Sequence, residues 1–318
     1  MKIEKCNVCG STIENILNLK NLDIIGMQVG EYEQQVCLCN NCSFIFTANP
    51  FSPEQLINRY SNMSKFEFDD STYFLGEQSE YIKRSKRQKD FIYNADITFN
   101  SILEIGASSG YNLSTYDCDL KLGIEPSLKN GVTAKKIYNI DLYTGSFDDY
   151  YNTCDKNTTY DLIFLSHTLE HIINPFDFIM KCKSLNNKYI FIEVPTLDFK
   201  FIDEPFGMFC EEHVNYFTLE NLSNVMKNAG YKLVDVNMIF GLETYLPAGW
   251  PAISSLWERS EYIPQNNFCV CSRNSLLSYI ESSFNVLEQV KEKINQIPDN
   301  LRLAVWGTGH HASFLLSN

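Results

Sequence analysis

The sequence predicts an α/β fold: a doubly wound, Rossmann-like sheet, preceded by a small cysteine-rich N-terminal module and followed by a partial C-terminal α/β segment. Three observations carry this. Between about residues 85 and 272, short apolar runs alternate with stretches of helical periodicity, the pattern of strands that feed crossover helices onto a parallel sheet. The first of those runs ends in a glycine turn, Glu104-Ile105-Gly106-Ala107-Ser108-Ser109-Gly110. Ahead of them stand two C-x-x-C pairs, Cys6/Cys9 and Cys39/Cys42, about 29 residues apart. The length of 318 residues leaves room for about two domains. The spacing divides the chain into a module at 1–46, a connector at 47–84, the α/β core at 85–272 and a tail at 273–318.

The two cysteine pairs suit a tetrahedral zinc site with four thiolate ligands, each pair closing a tight knuckle whose backbone N–H groups reach the sulfurs. Four thiolates leave no open coordination position, so the zinc would be structural. The segment between the pairs has few apolar residues, and metal is expected to supply folding energy. Cys37 has the wrong spacing for a knuckle and reads as a bystander. Cys118, Cys154, Cys182, Cys210, Cys269 and Cys271 read as buried small hydrophobes of a reduced protein. A set of unpaired thiols without metal is the alternative.

In the connector, Ser52-Pro53-Glu54 begins a short helix, with Ser52 as cap and Pro53 in the first turn. Residues 81–91 (YIKRSKRQKDF) read as a basic helix whose charges form a solvated face.

In the core, the runs at 101–105, 121–125, 160–165 and 188–194 read as buried parallel strands. Those at 231–240 and 267–272 read as later strands, and 174–185 and 219–229 as helices. Gly230 follows the second helix, where a helix end favours glycine. Gly106 and Gly110 let the backbone turn sharply and approach a ligand. Glu104 is a carboxylate at the tip of a buried strand, costly unless a ligand or an amide uses it. The next strand ends in Gly123-Ile124-Glu125-Pro126, where an acid is placed to accept both hydroxyls of a ribose.

Glycine turn, acid, Tyr160-Asp161-Leu162-Ile163 and Leu169-Glu170-His171 together resemble the motifs of the class I S-adenosylmethionine-dependent methyltransferases. The resemblance implies S-adenosylmethionine as cofactor. It implies contacts from Glu104, Gly106, Ala107, Ser108 and Gly110 to the methionine part and from Glu125 and Pro126 to the ribose. Ser146 and Phe147 would lie near the adenine, and Ser166 and His167 would line the cofactor.

The zinc pairs joined to this core resemble the zinc-containing sugar C-methyltransferases of deoxysugar pathways. Glu193-Val194-Pro195 and Phe209-Cys210-Glu211-Glu212-His213-Val214-Asn215-Tyr216-Phe217 look like that family's E-V-P and H-E-H-x-x-Y-F strings. Glu211 stands at the first histidine of that string, and Ser108-Ser109 stand at the family's Asn-Asp. The resemblance implies a sugar or nucleotide-sugar acceptor, Glu212 and His213 as the acid–base pair, and an active-site tyrosine from the connector, with Tyr60 and Tyr73 as candidates. Residues 301–312 resemble the start of the family's C-terminal domain, and the chain is expected to be truncated relative to those relatives. His310-His311 sit within that patterned segment.

Lys+Arg of 26 against Asp+Glu of 39 gives a net charge of -13, which repels phosphate backbones and anionic membranes. The N-terminus has no apolar leader and no apolar run reaches about 18 residues, so a cytoplasmic protein is expected. The expected activity is methyl transfer to carbon or oxygen of a sugar or sugar-linked acceptor. The alternatives are a non-catalytic protein that keeps the cofactor fold and a small-molecule O-methyltransferase outside sugar metabolism. A zinc-knuckle RNA methyltransferase is the third, against which the charge argues.

Overall fold

A computed structural model describes residues 2–22, 31–62, 80–155, 157–199, 205–240, 250–262, 271–298 and 300–301. The N-terminal module is built on an antiparallel hairpin of β1 (Ile13–Leu22) and β2 (Glu31–Cys39), with β3 (Ile45–Thr47) on the other side of β2. Leu19, Val36, Leu38 and Ile45 are buried, an apolar set large enough to hold the strands against the rest of the protein.

Two helices follow, α1 (Pro53–Asn62) and α2 (Glu80–Asn94). Ser52 and Gln55 cap α1 reciprocally: Gln55 N–H donates to Ser52 Oγ at 3.2 Å and Ser52 N–H donates to Gln55 Oε1 at 2.9 Å. Pro53 occupies the first helical position, where its missing N–H costs nothing.

The core runs β4 (Ser101–Ile105), α3 (Tyr111–Ser114), β5 (Leu120–Glu125), α4 (Leu128–Thr133), β6 (Leu142–Thr144), α5 (Phe147–Thr153), β7 (Leu162–Ser166), α6 (Pro175–Ser184) and β8 (Tyr189–Pro195). It continues with β9 (Asn215–Tyr216), α7 (Leu219–Asn228), β10 (Tyr231–Ile239), β11 (Ala252–Arg259) and α8 (Ser272–Asn295). Seven strands form one sheet in the order β6-β5-β4-β7-β8-β11-β10. The β6–β5–β4–β7–β8 pairs are parallel, and β11 lies antiparallel between β8 and β10. Strand order reverses between β4 and β7, so the carboxyl ends of these strands border a crevice at the switch point. Every residue of β8 is buried, as expected of a parallel strand covered on both faces.

The four strands read as parallel are in place, within one or two residues. The seventh strand is a correction. It is β11, and the reading of 267–272 as a strand fails where it can be judged: Cys271 caps α8 and Ser272 opens it. Residues 267–270, Cys269 included, lie outside the described residues, as do Tyr73 and 302–318 with His310 and His311. Cys271 is exposed, while Cys118, Cys154 and Cys210 are half-buried, so of the described scattered thiols only Cys182 is fully buried. Among the described residues no helix is long and apolar enough to cross a membrane.

The N-terminal module joins the core through a short strand and through contacts such as Asn7 Nδ2 to the Ile173 carbonyl at 2.8 Å and Asn224 Nδ2 to the Cys42 carbonyl at 3.1 Å. β3 pairs with β9 through Ile45–Tyr216 and Phe46–Asn215, and Thr47 N–H donates to the Val214 carbonyl at 2.8 Å. On its other side this segment meets the end of β8, by a bridge between Phe217 and Thr196.

Candidate active site

Cys6, Cys9, Cys39 and Cys42 bring their sulfurs within 4.8 Å of one another. The two knuckles repeat one geometry. Gly10 N–H donates to the Cys6 carbonyl at 2.8 Å and Ser43 N–H to the Cys39 carbonyl at 3.2 Å. Gly10 and Ser43 both hold positive φ, 72° and 58°. Val8 N–H reaches Cys6 Sγ at 3.4 Å and Asn41 N–H reaches Cys39 Sγ at 3.4 Å. Backbone amides aimed at sulfur favour thiolates, so the donor set and its surroundings are compatible with zinc. Cys37 is buried outside this group, with its Sγ 3.9 Å from Asn15 Oδ1.

The glycine turn joins β4 to α3 at the switch point. Gly106 and Gly110 hold φ of 80° and 75°. A side chain at Gly106 would also stand 2.5 Å from Thr168 Oγ1, so both φ and packing require glycine there. Ser108, at φ 47°, takes the left-handed conformation without being glycine. Its N–H donates to Glu125 Oε2 at 2.9 Å, and Ser127 N–H donates to Glu125 Oε1 at 3.0 Å. Glu125 therefore ties the turn to the end of β5, although burial raises its pKa. Ala107 is buried beneath the turn, and Pro126 directly follows Glu125.

Glu104 is buried beneath the same turn. Its Oε1 accepts from Asn112 Nδ2 at 3.0 Å, while its Oε2 has no hydrogen-bond partner among the described residues. Burial pushes its pKa up to about 8. A carboxylate left half-satisfied in a buried site is costly unless a ligand meets it.

Ser146 and Phe147 lie at the start of α5, directly after β6. Ser146 caps the helix in a box with Asp149, and Phe147 packs on Phe178 with ring centroids 4.7 Å apart.

The ends of β7 and β8 hold a buried ionic network that extends past the predicted set. Glu193, wholly buried, accepts from Arg87 Nη2 and Gln88 Nε2, each at 2.8 Å, and from Ser254 Oγ. Gln88 also donates to Ser166 Oγ at 2.8 Å. His167, with φ 50°, sits between two carboxylates: Nε2 is 3.3 Å from Glu193 Oε1, and Nδ1 is 3.4 Å from Glu170 Oε1. Burial opposes the imidazolium, yet Glu170 and Glu193 hold its pKa above the ordinary value. Burial likewise opposes the charge on Glu193, but His167 and Arg87 hold its carboxyl far below the usual range. The basic face of α2 is thus not wholly solvated: Arg87 and Gln88 turn inward to Glu193. Lone basic residues in a charge run carry no signal of this; a glutamate inside a fully apolar strand does, because it requires a partner.

The Glu212-His213 pair meets a second histidine. His213 is buried, and its Nδ1 donates to the Met208 carbonyl at 3.2 Å. Its ring lies against His171 (centroids 5.0 Å apart) and Trp250 (5.7 Å). His171 Nδ1 stands 2.9 Å from the Glu212 carbonyl and 2.9 Å from Tyr60 OH. Of the two candidate tyrosines, Tyr60 is the one within the described residues, and it reaches the histidine pair. A carboxylate beside an imidazole favours its charged form, and Glu212 acts on His213 in that direction. Burial, with His171 second, outweighs it and lowers His213 to about 4, so its imidazole is neutral and can accept a proton or ligate.

The turn and the loop are fixed together. Val214 N–H donates to the Glu170 carbonyl at 2.8 Å, and Asn215 Nδ2 donates to the carbonyls of Leu169 at 3.0 Å and Ile172 at 2.6 Å. His167 and Glu170 lie on the loop after β7, so the ionic network and the histidine pair adjoin.

The family model described as "Methyltransferase domain" matches residues 75–236, just over half of the chain. No curated protein matches by sequence. Among solved structures, the 1,6-didemethyltoxoflavin-N1-methyltransferase of Burkholderia thailandensis is similar at 11% identity and a TM-score of 0.48, over 70% of this chain and 98% of that one. The N-methyltransferase NodS of Bradyrhizobium japonicum, solved with S-adenosyl-L-homocysteine, is similar at 12% identity and 0.46, over 65% and 98%. The cyclase SpnF is similar at 10% and 0.45, over 59% and 85%.

Proposed function

We propose that this chain, which belongs to the methyltransferase-domain family, is a cytoplasmic, zinc-stabilised enzyme that methylates carbon or oxygen of a sugar, nucleotide-sugar or sugar-linked acceptor. The supporting observation is the pairing of β3 with β9. It makes the four-cysteine module and the Glu212–Phe217 segment one unit, and these are the two features that set the sugar reading apart from methyl transfer in general. In this reading 1–46 is the zinc module, 47–84 the cover, 85–272 the core and 273–318 the start of a further segment. Zinc would be held by Cys6, Cys9, Cys39 and Cys42.

Bound S-adenosylmethionine supplies an electrophilic methyl group on a sulfonium. Glu104, Gly106, Ala107, Ser108 and Gly110 would hold its methionine part, and the orphaned Oε2 of Glu104 fits a cationic ammonium. Glu125 and Pro126 would hold the ribose, Ser146 and Phe147 the adenine edge, and Ser166 and His167 the face toward β7. His213 would take the proton from the acceptor as base. Glu212 would be the adjoining carboxylate that favours proton uptake, an influence the site's electrostatics include. Methyl transfer needs alignment more than acid catalysis, so the rigid loop frame matters as much as the base.

A screen of nucleotide sugars, read by cofactor turnover, tests the acceptor. Turnover on phenolic or amine acceptors with none on sugars would reject the sugar class. His213→Ala is expected to lower turnover by about 10²–10⁴-fold while cofactor affinity, measured by calorimetry, stays within about twofold. A fully active variant would remove the base role. Glu125→Ala is expected to weaken cofactor binding at least tenfold, since a hydrogen-bonded carboxylate contributes ~1.5–3 kcal/mol.

Glu104→Gln gives a paired expectation. The folded pKa of Glu104, about 8, stands above its unfolded value, so the native state binds the extra proton. Glu104 therefore lowers stability as pH rises from about 4 to 8. The cofactor-free Gln variant should melt higher than the parent at pH 8, by several degrees for a few kcal/mol, and at equal temperature near pH 4. Cofactor affinity should move the other way: the parent binds more tightly as pH rises toward 8, and the variant binds weakly without that slope. A variant with unchanged melting and unchanged affinity at pH 8 would remove Glu104 from the site.

A further inference from the structure

Glu170, His171 and His213 each bring one donor atom within 4.8 Å of the other two. Both ring tautomers are set by the backbone. His171 Nδ1 is 2.9 Å from the Glu212 carbonyl, and His213 Nδ1 is 3.2 Å from the Met208 carbonyl. A carbonyl oxygen has no proton to give, so each Nδ1 must donate and each Nε2 presents a lone pair. Metal-bound histidines are held in this way, with the second ring nitrogen anchored on a carbonyl.

Glu170 adds the charge. Its Oε1 lies 3.4 Å from His167 Nδ1 and 3.8 Å from His171 Nε2. Its Oε2 is buried and has no hydrogen-bond partner among the described residues. An oxygen so placed is costly as it stands, and a cation would satisfy it.

We infer that Glu170, His171 and His213 form a second metal site, separate from the four-cysteine cluster and suited to zinc or a similar divalent ion. Two imidazoles and one carboxylate are the donors of open metal sites, which keep a position for water or substrate. Donors at 2.0–2.2 Å around a tetrahedral ion stand about 3.4 Å apart, so the present spread closes by shifts on the order of an ångström. The hydrogen bond from Val214 N–H to the Glu170 carbonyl holds the two ligand-bearing loops in one frame, which limits how far they can separate.

The consequence for catalysis rests on the reading of His213 as base. An ion on Nε2 takes the lone pair that would accept the acceptor's proton, so the loaded enzyme turns over more slowly.

The full chain, saturated with zinc and freed of excess by gel filtration, is expected to hold two zinc ions per chain. His171→Ala and Glu170→Gln should each lose one. Cobalt substitution supplies the control, because the intense thiolate-to-cobalt absorption of the cysteine cluster should persist in both variants and show that they are folded. If His171→Ala loses that absorption, the isosteric Glu170→Gln carries the test. One zinc in the parent, or two in a folded variant, overturns the site. Turnover separates the two readings: a second ion that binds and raises turnover keeps the site and removes the base role of His213.

Discussion

Stripping zinc from the proposed four-cysteine site is expected to abolish methyl transfer while sparing cofactor binding. Structural zinc sites contribute ~10–16 kcal/mol in small domains, as much as the whole stability of an ordinary fold. The buried Leu19, Val36, Leu38 and Ile45 hold the strands, while the two knuckles themselves depend on the metal. Its loss reaches the acceptor side of the site through hydrogen bonds already named and through Tyr216, whose hydroxyl lies 2.7 Å from Thr47 Oγ1 and accepts from Gln34 Nε2 at 2.8 Å. The same hydroxyl is 3.0 Å from the His213 carbonyl. The loop carrying Glu212 and His213 is therefore held on one side by the module and on the other by the loop after β7. The glycine turn and Glu125 belong to β4 and β5, which pair in the other sheet from β3. Treatment with a strong chelator, or a Cys9→Ser substitution, should lower turnover at least 100-fold and leave the cofactor dissociation constant within about threefold. Full turnover by protein verified to hold no zinc would refute this coupling. Equal loss of cofactor binding would mean that the whole chain unfolds as one unit.

The reach of the sequence can be judged from particular residues. Strands β4, β7 and β8 are legible because their runs are largely apolar and buried, β5 because it ends in Gly123-Ile124-Glu125-Pro126, and β4 ends in a turn only glycine can make. β11 is not legible in the same way. Its run, AISSLWER, mixes serine and charge into a strand whose first six residues are nonetheless buried. Those serines are satisfied by tertiary partners: Ser254 by Glu193 and Ser255 by the Ile192 carbonyl at 3.1 Å. Periodicity cannot report a partner 60 residues away. β6 is only three residues long, which is too short for any pattern.

Within the site, residue types that chemistry demands were visible and their neighbours were not. The cysteine pairs, Glu104, Glu125 and Glu212-His213 are each marked by local motifs. Tyr60 stood as one of two candidates, and contact with His171 now separates it from the other. His171 carries no site role in the sequence beyond the Leu169-Glu170-His171 string, because a histidine in a turn says nothing until the fold sets a second imidazole 5.0 Å away. Arg87 is the clearest case: eight residues of the eleven-residue run 81–91 are polar or charged in a way that suggests water, and only the tertiary fold shows that Arg87 and its neighbour Gln88 are taken inward.

That inward arginine leads to the second large effect. Arg87→Met is expected to destabilise the protein by about 3–5 kcal/mol, the cost of leaving a buried charge without its counter-ion. Glu193 is wholly buried at the junction of β7, β8 and β11, and Arg87 meets it at 2.8 Å while also donating to Ser254 Oγ at 3.0 Å. Methionine keeps most of the packing of the side chain and removes the charge. Gln88, Ser254 and His167 then remain as partners, and none supplies a permanent charge, so the loss should be read as an unpaired carboxylate rather than a cavity. The double variant Arg87→Met/Glu193→Gln separates these two causes. If the unpaired charge dominates, removing it restores most of the stability, and the two changes together cost less than Arg87→Met alone. If packing dominates, the double variant is at least as unstable as the single one. For a domain of this size the single variant should lower the melting midpoint by on the order of 10 °C. The network also sets where His167 and Ser166, the proposed cofactor edge, sit, through Glu193 and Gln88. Weaker cofactor binding in the single variant, recovered in the double one, would therefore place the ion pair in the positioning of that edge; a stability change with no effect on affinity would confine it to the core.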